Sequence, residues 1–201
     1  MKKSISEETR QAVLEAAWRC MSRAGGMGAG MADIAQAAGV SRQTVFYEFG
    51  GRPRLLVAMV RYRDRQTDHV RRLSSLAQGQ GADLSALLAF VDVWLDYLPI
   101  VHPVALQLES GAASDPDIEM AWNDRFFNQG LRRGFELILG RMAAAASLPA
   151  GSDPSRLADL CLSLVVPSAW QLLVHDCRWS PQEFRTSRHL LIRGLLQASE
   201  T

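Results

Sequence analysis

The sequence predicts an all-α fold. Apolar residues recur at helical spacing, and no segment shows the sustained alternation of apolar and polar residues that is typical of half-buried strands. Several capping residues are followed at once by proline, which is favoured at the first position of a helix. The chain has 201 residues, 48% of them hydrophobic, which is enough to build a buried core. These three observations predict about nine helices in all.

The first two predicted helices have apolar faces and end at glycines. The first helix turns near Gly25, and the second ends at Gly39, where glycine can adopt the positive φ that terminates a helix. Val40 then fills the corner between the second helix and the third. The inward-facing residues of these two helices are Val13, Leu14, Ala17, Ile34, Ala35 and Ala38.

The third predicted helix begins at Arg42, after a turn of three residues. Ser41 is placed to cap it, because a serine oxygen accepts from the free amides of the first turn. Val45 and Phe49 are four residues apart and face inward. Two helices joined in this way are typical of DNA-binding proteins, in which the second helix enters the major groove. The alternative is an ordinary helical hairpin with a solvated polar face.

This stretch resembles the N-terminal signature of TetR/AcrR-type transcriptional regulators. The matching residues extend over about the first 60 positions. They are Arg10, the apolar face of the first helix, Ile34-Ala35, Ala38-Gly39-Val40-Ser41, Thr44-Val45, Phe49 and Gly50-Gly51-Arg52. The resemblance implies two domains: residues 1–51 for DNA binding through the helix-turn-helix, and residues 52–201 for a larger helical domain that binds an effector and dimerises.

The resemblance also implies which residues bind DNA. We expect Arg42, Gln43 and Tyr47 to read base edges or to position the protein on the DNA, and Thr44 and Arg52 to engage phosphates. The implied protein is a homodimeric regulator, most simply a repressor, that a small apolar or aromatic effector releases from a palindromic double-stranded DNA operator.

Three departures from the family pattern alter the expected phosphate contacts. Phe46 stands where a tyrosine usually meets the DNA backbone, so that contact is expected to be missing. Glu48 replaces a histidine or aromatic residue and is expected to point away from DNA, because a carboxylate is repelled by phosphates. Gly30 stands where a threonine or serine usually caps the second helix. Arg52 replaces the usual lysine and keeps a charge that can bind phosphate.

Charge is distributed unevenly along the chain. The formal net charge is only +1, yet residues 1–75 hold 13 basic and 7 acidic side chains, while residues 76–201 hold 9 basic and 14 acidic. A basic N-terminal part is expected of a phosphate-binding surface. Lys2 and Lys3 form either a mobile arm on the DNA or a merely solubilising start.

The remaining helices are predicted from their caps. The fourth runs from Arg52 to Gly79–Ala82 as a lever of roughly 40 Å, at about 1.5 Å per residue. Its arginine-rich middle is interpreted as a solvated face. The fifth covers Leu84 to Tyr97, and a short sixth follows Pro103. Further helices begin at Asp115-Pro116, at Asp153-Pro154 and at the capping box Ser180-Pro181-Gln182-Glu183.

Aromatic and polar residues gather in the fifth to seventh predicted helices. A mostly apolar cavity with a few polar groups is the usual form of a small-molecule site between helices. We expect the aromatic rings to stack on a planar effector and His102 or Gln107 to orient it, whereas the alternative is that these residues are simple core. The candidate ligand-binding residues are Phe90, Trp94, Tyr97, His102, Gln107, Trp122, Phe126 and Phe127.

The last two predicted helices carry apolar stripes that suit a two-fold interface between copies of the chain. Pro167 is expected to kink the first of them. The alternative is that both stripes pack within one chain. The candidate interface residues are Leu160, Leu164, Ser168, Leu172, Phe184, Leu191 and Leu195.

Catalysis is not expected, because the chain has no GxSxG or HExxH motif and its histidines are scattered. A metal site at His175-Asp176-Cys177 is disfavoured, since consecutive helical residues diverge by about 100°. No cofactor is expected either. The alternative function is a helical small-molecule-binding protein or enzyme that has lost DNA binding.

The cellular setting is expected to be the cytoplasm. There is no signal-like start and no uninterrupted apolar run of about 18 residues, so no membrane partner is expected. Cys20, Cys161 and Cys177 have no metal-type spacing, which suits reduced thiols in a reducing compartment.

Overall fold

A computed structural model describes residues 5–22, 29–123 and 130–197. The predicted all-α class is confirmed: these residues form eleven α-helices and one π-helix, and none of them lies in a strand. The helices are α1 Glu7–Met21, α2 Met31–Ala38, α3 Arg42–Phe49, α4 Arg52–Gln66, α5 His69–Gln78, α6 Leu84–Gly111, α7 Pro116–Asn123, α8 Leu131–Ala144, α9 Pro154–Leu164, α10 Pro167–Trp170, the π-helix Gln171–Asp176 and α11 Pro181–Gln197.

The described chain groups into two compact units. The head unit consists of the described residues up to 67 together with 103–122, and the second unit of 68–102 together with the described residues beyond 122. Helix α6 contributes its N-terminal part to the second unit and its C-terminal part to the head unit.

The helix-turn-helix forms as its local signals predict. Gly39 ends α2 with φ of 70°, in the left-handed region that glycine adopts without strain. Ser41 caps α3, and its Oγ accepts from the amide of Thr44 at 3.0 Å. Val45 and Phe49 are buried, as predicted. The inward face of α1 and α2 is also confirmed at Val13, Leu14, Ala17, Ile34 and Ala35, all of which are buried.

The prediction of a single long fourth helix is wrong, because the helix ends at Gln66. Thr67 has extended backbone angles, and α5 begins two residues later. The hydroxyl of Thr67 donates to the carbonyls of Arg63 and Asp64, a local hydrogen bond that competes with the helical ladder. Helix α4 alone has 15 residues and a length of about 22 Å, so a lever of roughly 40 Å does not exist.

The separate fifth and sixth helices are also a wrong prediction, since α6 runs through Pro103 for 28 residues. Proline costs helix stability because it lacks the amide hydrogen. Here Val101, Val104, Ala105 and Leu108 on both sides of the proline are buried, and this burial favours continuity.

Helix α6 is long and apolar enough to cross a membrane by length and composition alone. The same holds for many core helices of soluble proteins, and more than half of its most apolar window is buried inside the protein. Within this helix Asp92 and Asp96 both bind the guanidinium of Arg185, at 2.6 and 2.5 Å.

The kink expected at Pro167 is confirmed. Helix α9 ends at Leu164, and the following segment from Pro167 to Asp176 departs by 41° from its direction. The capping box of the last helix also forms, since Ser180 Oγ accepts from the amide of Glu183 while Glu183 Oε2 accepts from the amide of Ser180. The π-helix after Trp170 was not predicted, because i to i+5 hydrogen bonding has no strong local sequence signal.

Candidate DNA-binding surface and effector site

The outer face of α3 carries the predicted base-reading residues. Arg42 lies exposed in its first turn, and Gln43 and Tyr47 are exposed four residues apart. The Gln43 side-chain amide donates to the Tyr47 hydroxyl at 3.2 Å. Thr44 is half-buried, with its hydroxyl 2.8 Å from Ser41 Oγ. The face is therefore polar and held by two short side-chain contacts.

Arg52 is held by groups of the head unit. Its guanidinium donates to Gln107 Oε1 at 2.5 Å and to the carbonyl of Ala29 at 3.3 Å. Gln107 is buried, and its amide nitrogen donates to the carbonyl of Pro103 at 3.1 Å. Any contact of Arg52 with a phosphate would share a guanidinium that is already hydrogen-bonded within the protein.

The carboxylate of Glu48 is paired within the protein, which is consistent with its expected direction away from DNA. Its Oε1 lies 3.1 Å from Nε of Arg10, and that guanidinium lies 5.5 Å from the centre of the Phe49 ring. The missing cap at Gly30 is partly replaced, because Asp33 accepts from the Gly30 amide at 2.8 Å. Phe46 is more than half exposed on α3.

The predicted aromatic residues of α6 are buried in the second unit. Trp94 donates its indole N–H to the carbonyl of Val165 at 2.9 Å. Tyr97 stacks on His69, with ring centres 3.5 Å apart and planes 13° from parallel. Phe90 is buried beside them on the same helix. These rings have partners within the chain, as core aromatics do.

His102 is the one predicted orienting group of this unit. It is only 5% exposed, and its ring stacks on that of His175 with centres 4.8 Å apart. Burial, followed by the neighbouring His175, lowers the pKa of His102, while Asp176 and a hydrogen bond to Gln171 raise it; the net result is a pKa of about 4. Its Nε2 atom is buried and has no hydrogen-bond partner among the described residues.

The structure does not gather all the predicted effector residues into one unit. Gln107 and Trp122 are buried in the head unit, whereas Phe90, Trp94, Tyr97 and His102 belong to the second. The predicted residues Lys2, Lys3, Phe126 and Phe127 lie outside the described residues. Three residues that contact α6 were not predicted as part of the effector site, because each approaches α6 from a distant part of the chain: His69, His175 and Gln171.

The predicted dimer residues differ in exposure. Leu160, Ser168, Leu172 and Leu191 are exposed, while Leu164 and Leu195 are half-buried. Phe184 is a correction: it is fully buried against Trp170, with ring centres 5.0 Å apart, so its side chain lies in the core rather than on a surface. Leu190 of α11 is exposed but was not predicted.

Groups that could act in metal or redox chemistry are sparse in the described part of the chain. No three His, Cys, Asp or Glu side chains among these residues lie together in a way that would hold a metal ion. Cys161 is buried, and burial raises its pKa to about 12, which keeps it a thiol at neutral pH. Cys20 is half-buried and Cys177 is exposed.

Residues 13–59, from within α1 to the middle of α4, match the sequence model of bacterial regulatory proteins of the tetR family. This segment of the chain belongs to the tetR family. The resemblance carried by the helix-turn-helix residues is thereby confirmed. No curated protein sequence matches the chain.

Solved structures share the fold over nearly the whole chain. A transcriptional regulator of Rhodococcus sp. Rha1 is 20% identical with a TM-score of 0.71, covering 95% of this chain and 97% of its own. A candidate transcriptional regulator of Saccharomonospora viridis, solved in complex with choline, is 22% identical with a TM-score of 0.74, covering 94% and 97%. SmeT, the repressor of a multidrug efflux pump of Stenotrophomonas maltophilia, is 18% identical with a TM-score of 0.68, covering 94% and 92%.

Proposed function

We propose that the protein is a dimeric, ligand-responsive transcriptional regulator of the tetR family, and a repressor. The observation that carries this proposal is the tetR-family helix-turn-helix, whose α3 exposes Arg42, Gln43 and Tyr47 together. The regulator works in the cytoplasm and needs neither catalysis nor a cofactor. Residues 1–51 serve DNA binding, and residues 52–201 serve effector binding and dimerisation.

The DNA contacts divide into base-reading and phosphate-binding groups. Arg42, Gln43 and Tyr47 have the length and donors to reach base edges in the major groove. Thr44 and Arg52 bind phosphates, which carry affinity without sequence information. The basic excess of residues 1–75, to which Lys2 and Lys3 contribute, supports electrostatic attraction to the duplex.

A homodimer is supported by the exposed apolar side chains on α9, the π-helix and α11. Leu160, Leu172 and Leu191 are each about half exposed, and such residues on neighbouring helices suit burial against a second copy. Two paired recognition helices would read successive major grooves, so the operator is a palindrome with half-sites about 34–36 Å apart.

The effector is a small apolar or aromatic molecule bound in the second unit. The buried aromatic residues Phe90, Trp94 and Tyr97 of α6 support this class. The choline complex of the Saccharomonospora viridis protein and the efflux-pump repressor SmeT are consistent with effector binding and repression on this fold. Effector binding releases the operator.

Selection of genomic duplex fragments by the purified full-length protein tests the proposal. The wild type, an Arg42→Ala variant and an Arg72→Ala control variant are compared at moderate salt, which suppresses bulk electrostatic binding. Arg72 is exposed on α5, outside the helix-turn-helix. We expect the wild type and the Arg72 variant to enrich one palindromic site, and the Arg42 variant to lose it. If the wild type enriches no sequence, the alternative of a helical small-molecule-binding protein without a DNA role stands instead.

A further inference from the structure

The imidazole of His102 has one nitrogen that the described protein does not satisfy. Its Nε2 is buried without a hydrogen-bond partner among these residues, on a side chain that is 95% removed from solvent. A buried polar atom of this kind costs stability unless a donor or acceptor meets it. A bound molecule is one way in which the atom is satisfied.

The hydrogen bonds around the ring determine which of its two nitrogens carries the hydrogen. The Gln171 amide nitrogen donates one hydrogen to Asp176 Oδ1 at 2.9 Å. The contact of Gln171 with His102 raises the pKa of the ring, as an accepting carbonyl oxygen does, because it stabilises the protonated form. Gln171 hydrogen-bonds the His102 side chain, and this contact must be at Nδ1, because Nε2 has no partner. Nδ1 therefore carries the hydrogen and donates, and Nε2 presents a lone pair.

The charge state of the ring restricts what Nε2 can bind. Burial holds the pKa of His102 at about 4, so the ring is neutral at physiological pH. A neutral ring with a free lone pair accepts a hydrogen bond and repels a carboxylate. The group that satisfies Nε2 is accordingly an O–H or N–H donor.

The segment that covers this ring is irregular. His175 stacks on His102 from the π-helix Gln171–Asp176, and π-helical turns occur frequently at functional sites. On the same α6, Trp94 and Tyr97 supply further buried rings in this unit. The ring of His102 therefore has a stacked neighbour in His175 and one unsatisfied nitrogen.

We propose that Nε2 of His102 is the polar anchor of the effector site, and that the effector is an aromatic molecule which donates a hydroxyl or N–H hydrogen to it. The inference rests on the proposed effector binding and specifies the chemical class. The imidazole acts as an acceptor only, so a carboxylate is not the anchoring group. His102 positions the effector and takes part in no reaction.

Matched compounds test this on the purified full-length protein. Dissociation constants are measured by calorimetry for phenol and anisole, for 2-naphthol and 2-methoxynaphthalene, and for 2-naphthoate. We expect the hydroxyl member of at least one pair to bind about tenfold or more tightly than its methyl ether, because the ether leaves Nε2 unsatisfied. The inference is overturned if both members of each pair bind alike, if the naphthoate binds best, or if none of the compounds binds.

Two variants separate the acceptor from the stacked rings. His102→Phe keeps a flat ring against His175 but removes Nε2, and it should abolish the preference for the hydroxyl compound. His175→Phe keeps the stack and Nε2, and it should retain the preference. Survival of the preference in His102→Phe overturns the inference. If that variant does not fold, the ¹⁵N resonance of His102 Nε2 in the wild type decides, because it should move with the hydroxyl compound and not with the ether.

The same proteins distinguish this inference from the proposed function. Operator enrichment by the wild type without any hydroxyl preference would leave the regulator standing and remove the anchor. If the protein enriches no operator but shows a hydroxyl preference that depends on His102, the anchor stands and the proposed regulator is removed.

Discussion

Arg52 at the first position of α4 donates a hydrogen bond to Gln107 of α6, with 2.5 Å between Nη2 and Oε1. The arginine begins the helix that follows the recognition helix, and the glutamine lies on the helix that also carries Trp94 and His102. A movement of α6 that displaces Gln107 would therefore disturb a residue proposed to bind phosphate.

This contact predicts coupling between the two residues. In a double-mutant cycle of Arg52→Ala and Gln107→Ala, we expect operator binding to show an interaction energy of at most about 1.5–3 kcal/mol, the size of a hydrogen bond to a charged group. Affinity is measured as a function of salt. Arg52→Ala should weaken all sequences alike and reduce the salt slope by about one. An unchanged slope would mean that Arg52 is only structural.

Arg42 is predicted to determine base preference. It is exposed in the first turn of α3, where a guanidinium can bind guanine at two atoms. Arg42→Ala should cost about 1–3 kcal/mol on the preferred site and relax the preference at one base position. Competition binding with a set of singly substituted operators checks this. An equal loss on every sequence would contradict the assignment and make Arg42 a phosphate contact.

Gly134 on α8 is predicted to be intolerant of a side chain. A Cβ atom there would clash with Phe90, because it would lie only 2.2 Å from the ring atom Cζ. Gly134→Ala should destabilise the protein by about 1–3 kcal/mol through overpacking. Gly140 on the same helix has open space around it, and Gly140→Ala should be neutral or slightly stabilising. Urea unfolding of both variants is the measurement, and equal stability would show that Phe90 moves freely.

The exposed leucines of α9 and α11 are predicted to hold the dimer. Leu160→Arg and Leu191→Arg should each shift the dimer toward monomer at micromolar concentration, because an unpaired charge would be buried in the interface. Val70→Arg, at an exposed apolar site on α5, is the matched control and should remain dimeric. Sedimentation velocity measures the three. A dimer that survives both leucine substitutions would place the interface elsewhere.

Stability is predicted to fall in mild acid because of His102. The unfolded chain takes up this proton near pH 6.5, whereas the folded chain does so only at about 4, since burial and His175 oppose the charge more than Asp176 favours it. The contribution of neutral His102 to the free energy of unfolding is complete above pH 6.5. It is lost as the pH falls toward 4, by at most about 3 kcal/mol. Urea unfolding from pH 7 to pH 4.5 should show a shallower loss for His102→Phe than for the wild type. Parallel pH profiles of the two proteins would contradict the assignment.

Local signals in the sequence were sufficient for the helix-turn-helix. A positive φ at Gly39, a cap at Ser41 and inward spacing of Val45 and Phe49 depend on neighbours within a few residues. The kink at Pro167 and the capping box at Ser180 follow from the same short-range chemistry. Each of these was predicted from residue types alone and is found in the structure.

Tertiary packing decided what depends on distant parts of the chain. Burial on both sides of Pro103 keeps α6 continuous, and the core beneath α11 takes Phe184 away from the surface. The partner of Arg52 lies 55 positions along the chain. The unsatisfied nitrogen of His102 depends on packing against a π-helix. The sequence by itself determined the turns and caps, because their energies are local. The long-range partners required the folded structure, because their energies arise only when separate helices meet.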